Sequence, residues 1–160
     1  MDGVSTNRDD DFYAWTQEQA SALRQAAQAR LNLPVDWTTV AEEVEQMGNS
    51  ERAELVSAMA RIIEHLLKLE HSPATDPRRG WRQSVEEHRL RVAIGLDLSP
   101  SLKSQLAFLA SKAWRYGRKY AAQGLERDRF AERDLPAECP YTVDQILDEA
   151  WWPENRHEAG

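Results

Sequence analysis

The stretch Glu64–His71, EHLLKLEH, places two histidines and two glutamates within eight residues. Those residue types serve as metal ligands and as proton donors and acceptors. A carboxylate-bridged metal in a helical protein uses Glu-x-x-His on inward faces of paired helices. The chain has that spacing only at Glu154–His157, near its end, and has no His-x-x-x-His. The expectation is therefore no metal and no cofactor. At 100° per residue, Glu64 lies opposite the apolar stripe of its helix, His65 lies off its edge, and His71 is opposite again. These groups are expected to form a solvated helix wall rather than one site.

Four other residues carry possible chemistry. Cys139, in ECPYT, is the only thiol, so neither an internal disulfide nor a thiolate cluster can form. It precedes a short predicted helix, and a helix start can activate a thiol. The bland alternative is a small buried apolar group. His88 and Arg89 fall inside the apolar arc of their helix, and Glu42 or Glu43 is the expected carboxylate partner of Arg89. An enzyme would draw on His65, His88, Arg89 and Glu42. No phosphate loop, nucleophile elbow or dinucleotide fingerprint is present, and the balance leans away from catalysis.

The helices that must position these groups follow from periodicity and caps. Thr16-x-x-Gln19 has capping-box spacing and predicts a first helix over 17–31. Asp36 caps a short second helix through Met47, stopped by Gly48. The third is long, with Leu55, Val56, Met59, Ile62, Ile63, Leu66 and Leu67 along one face. The fourth covers 78–98, with Trp81, Val85, Val92 and Leu96 facing inward. Ser99 caps and Pro100 opens a fifth, with Leu102, Leu106, Leu109, Ala113, Tyr116 and Tyr120 as a coiled-coil-like seam and Gly124 as its end. Thr142 caps a last helix over 143–150, part of a strap that packs back on the rest. This predicts an all-α, up-and-down bundle of five to six helices in one domain, with residues 11–153 as ordered core and the polar termini, 1–10 and 154–160, outside it.

The net charge of −7 is unevenly spread. The acidic first half is followed by a basic stretch over 78–119 and an acidic end. Arg78, Arg79 and Arg82 open helix four; Lys112, Arg115, Arg118 and Lys119 close helix five. Arginine beside Trp81 and Trp114 suits phosphate and bases, yet the chain is acidic and shows no nucleic-acid module. Internal ion pairs, a protein partner or a second copy are favoured over nucleic acid. Trp151 and Trp152 point about 100° apart on a helix, so one is expected to anchor the strap and the other to serve as a contact residue. No apolar run reaches the roughly 20 residues of a membrane helix, and the acidic start is unlike a secretory leader. The expected place is the cytoplasm.

The segments DFYAWTQEQASALR, DWTTVAEEVEQMGNSER, HLLKLEHSP, WRQSVEEHR, SPSL and CPYTVDQILDEAWWP, in that order, resemble the bacterial domain-of-unknown-function family 29 over about residues 11–153. The resemblance implies a small helical bacterial protein and no particular activity. His88, Glu70 and His71 depart from the family pattern, so chemistry common to the family would not rest on them. The sequence thus reads as a non-enzymatic protein-interaction domain, with an anion-binding basic end and an enzyme as the competing readings.

Overall fold

The computed structural model describes residues 5–158; residues 1–4 and 159–160 of the predicted polar termini lie outside the described residues. The described chain is all-α, with five α-helices: α1 (Phe12–Gln28), α2 (Trp37–His71), α3 (Arg78–Leu98), α4 (Leu106–Leu125) and α5 (Val143–Leu147). Short 3-10 turns lie at Pro100–Gln105, Glu126–Asp128 and Glu132–Asp134. Among the described residues, no helix is long and apolar enough to cross a membrane. The chain divides into two compact units: residues 1–54 with 94–104, and residues 55–93 with 105–160.

In the first unit, α1 begins earlier than its predicted capping box. Asp11 is the N-cap and accepts the amide of Ala14 at 2.8 Å. The same carboxylate accepts the Ser101 amide at 2.6 Å and the Ser101 hydroxyl at 2.9 Å. Thr16 lies within the helix, fully buried, its hydroxyl donating to the Tyr13 carbonyl. Ser99 does not cap a fifth helix; its hydroxyl accepts the Tyr13 amide at 3.1 Å. Gly48 does not stop a short helix either. Helix α2 runs through it without a break. A Cβ there would collide with the Thr16 hydroxyl, so the glycine is a site of close approach between α1 and α2. Asp36 caps α2 as expected, accepting the amide and the hydroxyl of Thr39 at 3.1 and 2.7 Å.

In the second unit, Leu55, Met59, Ile62, Ile63, Leu66 and Leu67 are buried along α2, with Val85 and Val92 of α3; Leu96, buried as well, falls in the first unit. Ala58, Ala60 and Leu69 are buried too, so this part of α2 is covered nearly all round. Helix α4 turns a different face inward from the predicted seam. Leu109 and Ala113 are buried, but Tyr116 and Tyr120 are 53% and 38% exposed. The inward row is Leu109, Ala110, Ala113, Trp114, Gly117, Ala121 and Leu125. A strict seven-residue seam drifts off a straight helix, and small residues set the approach here. A Cβ at Gly117 would sit 2.8 Å from the Ala60 carbonyl oxygen and from Ile63 Cβ. Gly117→Ala is therefore expected to destabilise the protein by about 1–3 kcal/mol in urea unfolding, since neither backbone nor a β-branched side chain can retreat cheaply. Gly124 lies inside α4, which ends at Leu125.

The strap packs on this unit. Thr142 and Gln145 form a reciprocal capping box at 3.1 and 3.0 Å, but α5 stops at Leu147 rather than Ala150. Ile146, Tyr141 and Leu135 are buried. Residues 155–157, placed by the sequence outside the ordered core, meet the C-terminus of α2. Asn155 donates to the Leu69 and Ser72 carbonyls at 2.8 Å each, the Arg156 amide to Glu70, and His157 Nε2 lies 2.9 Å from the His71 carbonyl oxygen. A helix leaves its last four carbonyls without partners; here the tail meets those of Leu69, Glu70 and His71, and the Ser72 amide that of Lys68.

Candidate functional site

The groups of EHLLKLEH are not a solvated wall. Glu64 is 6% exposed and His71 5%. Glu64 accepts Lys68 Nζ and Arg61 Nη1, each at 2.8 Å. Burial alone would raise its pKa, but those hydrogen bonds hold it below the ordinary carboxylate value. His65 Nδ1 lies 2.8 Å from the Arg61 carbonyl oxygen. The His71 ring packs edge-on against Phe130 at 5.8 Å. Its Nε2 is 3.0 Å from Glu70 Oε2, out of line for a well-formed hydrogen bond. Glu70 also accepts the Tyr141 hydroxyl at 3.1 Å, and burial then keeps that phenol protonated. The opposite-face argument failed because a helix covered on all sides has no solvent face. Among the described residues, no group of three or more His, Cys, Asp and Glu could hold a metal.

Burial lowers the pKa of His65, helped by the charges of Lys68 and His88 and opposed by the Arg61 carbonyl and Glu64. The folded chain thus binds this proton less readily than the unfolded one, whose histidine titrates near 6.5. The contribution is full above that pH and falls as the pH drops below it. Urea midpoints measured at pH 7.5 and 5.5 should differ in that sense, and His65→Gln should shrink the difference. Glu64 and Glu70, both lowered, lose their contributions only below the carboxylate range, near 4.5.

Arg89 is 3% exposed, as its place in the α3 arc requires, but Glu42 and Glu43 are not its partners. Its Nε donates to the Ile146 carbonyl at 2.8 Å, and Nη2 donates to Gln145 and Trp151 at 2.9 and 3.0 Å. It holds the open end of α5. His88 Nδ1 lies 2.7 Å from the Ser84 carbonyl oxygen, a bond within its own helix. Glu42 is exposed and belongs to the first unit; the other three enzyme candidates belong to the second. Burial pushes the Cys139 thiol up, the reverse of an activated nucleophile, and it donates to the Tyr141 carbonyl.

The basic residues divide by use. Arg78 donates to the Leu69 carbonyl at 3.0 Å. Arg82 and Arg89 lie over the Trp152 ring at 4.5 and 4.9 Å. Arg118 binds the Pro136 carbonyl, both the side chain and carbonyl of Glu132, and the Leu135 carbonyl. Arg79, Arg115 and Lys119 are exposed. Trp151 stands edge-on to Tyr141 at 5.6 Å, so both tryptophans are packed and half-buried.

The first unit has a different surface. It holds five Lys and Arg against twelve Asp and Glu, net −7, while the second unit has fifteen of each. The outer face of α2 carries Val40, Val44 and Met47, at i, i+4 and i+7, with Glu43, Glu51 and Glu54 on the same side. Val40 and Met47 are 39% and 45% exposed, and Leu31, Leu33 and Val35 in the preceding loop are exposed as well. Sequence reading missed this face because it treated residues 36–47 as a separate helix.

An α-helical protein of unknown function from Rhodospirillum rubrum has a similar structure, with a TM-score of 0.74 and 26% identity over 91% of this chain and 92% of that one. No curated protein matches the chain. The model of the family described as "Domain of unknown function DUF29" matches residues 8–152. With nine-tenths of its length matched and the six segments quoted above in order, the chain belongs to the DUF29 family.

Proposed function

We propose that this protein is a cytoplasmic, non-enzymatic interaction module whose acidic unit binds a cationic amphipathic helix of a partner protein. The observation that carries the reading is the outer face of α2, where Val40, Val44 and Met47 are interleaved with Glu43, Glu51 and Glu54. Contiguous exposed apolar surface marks interaction sites, and the net charge of −7 on this unit selects a cationic partner over nucleic acid or an acidic protein. The catalytic candidates support the same reading, because His65, His88, Arg89 and Cys139 are all engaged with backbone carbonyls. The test is an array of amphipathic helical peptides of matched hydrophobicity, one set rich in Lys and Arg, the other in Glu. Cationic peptides should bind, weaken as salt rises, and be lost with Val40→Asp or Met47→Asp, surface changes that leave the fold intact. Equal binding of both sets, or binding indifferent to those substitutions, would refute the reading.

A further inference from the structure

A cleft of about 450 Å³ opens in the acidic unit, lined by Arg8, Asp9, Phe12, Glu51 and Leu98. Three features meet there. Phe12, in the wall, is stacked on Trp15 behind it in sequence, with ring centroids 6.1 Å apart and planes 26° apart. The Arg8 guanidinium already rests on that pair, 5.6 Å from the Phe12 centroid and 6.0 Å from that of Trp15. Among the described residues it is otherwise held by a 3.8 Å contact to Asp9, and both side chains are largely exposed. Glu51, half-buried, has no hydrogen bond or ion pair among the described residues, and Leu98 stands 54% exposed beside it.

We propose that this cleft is a binding site for an arginine side chain of a partner protein, with Arg8 as a built-in stand-in that the partner's guanidinium displaces. The apolar stem would lie against Leu98 and the Phe12 edge. The planar head would stack on the aromatic pair, as Arg8 does, and donate to Glu51. A guanidinium matches a flat ring and a carboxylate together, which an ammonium does not. Burial and the neighbouring Glu54 raise the pKa of Glu51, consistent with a carboxylate that lacks its cation. A divalent metal ion is disfavoured by the lack of a three-ligand group among the described residues.

This inference deepens the proposed function and rests on it for the partner, but not for its test. Titrating the whole protein with a short blocked peptide, Ala-Arg-Ala, and following backbone amide NMR signals should move Phe12, Glu51 and Leu98 first. Glu51→Gln, which breaks no contact and should melt like the parent, is expected to weaken binding about tenfold or more. Arg8→Ala should strengthen it roughly two- to fivefold by removing the competitor. The citrulline analogue should not bind, and the lysine analogue should bind more weakly. Equal binding of citrulline, shifts that map outside the cleft, or an affinity unchanged by Glu51→Gln would overturn the proposal. A chain that binds this tripeptide but fails the helical-peptide array refutes the proposed function and keeps the cleft. The reverse pattern refutes the cleft alone.

Discussion

Replacing Arg89 by methionine should lower the melting temperature by roughly 10 °C or more, the larger part of it through three carbonyls left without donors. Arg89 gives one Nε and two Nη2 hydrogen bonds to Ile146, Gln145 and Trp151. Methionine fills a similar volume, so packing changes little. A buried carbonyl stripped of its partner costs about 1–3 kcal/mol; the Ile146 bond is buried and the other two are part-buried and cost less, for a sum on the order of 3–5 kcal/mol. For a chain of this length each kcal/mol moves the midpoint by about 2–4 °C. Arg89→Lys should recover only a small part, because an ammonium cannot reproduce the planar fork that serves three acceptors. Differential scanning calorimetry decides it: a lysine variant that melts with the parent would show that charge alone suffices there.

Truncation after Leu135 should give a chain that aggregates or unfolds below ordinary growth temperatures. It removes Tyr141, Ile146 and both tryptophans from the second unit, together with the capping residues 155–157. Burial of large apolar side chains is worth roughly 1.5–3 kcal/mol each, and a domain of this size has about 5–15 kcal/mol in all. The same cut strips the tail's donors from the Glu70, His71 and Ser72 carbonyls and leaves the Leu69 carbonyl its bond from Arg78. Asn155→Ala separates the two effects. It leaves the apolar strap in place and deletes two buried 2.8 Å hydrogen bonds, so it should cost about 2–3 kcal/mol on its own. A truncated chain that is monomeric and melts with the parent, or an Asn155→Ala variant without effect, would mean that the end of α2 is satisfied in another way.

Much of the local structure was legible because its causes are local. The Asp36 and Thr142 caps lie next to the helices they start. The apolar stripe of α2 and the inward row of Val85, Arg89 and Val92 in α3 follow from a period of 3.6 residues. Arg89 could be recognised as buried because only its own helix had to be known. Glu64 and His71 could not, because the periodicity shows one apolar face and says nothing of a second layer on the far side.

The sequence by itself determined that this chain is helical, where its helices lie to within a few residues at most ends, and that its charge is divided along its length. Tertiary structure alone decided what those charges meet. Arg89 was expected to find a carboxylate and instead holds the carbonyls of α5; Asn155 and Arg156 read as tail and instead cap α2. The physical reason is common to both. Every residue carries a carbonyl, so sequence cannot mark which ones a helix end leaves unpaired and which distant side chain will reach them. Gly48 teaches the same lesson. It reads as a helix stop, whereas here it is the space that Thr16 requires, as Gly117 is for Ala60 and Ile63.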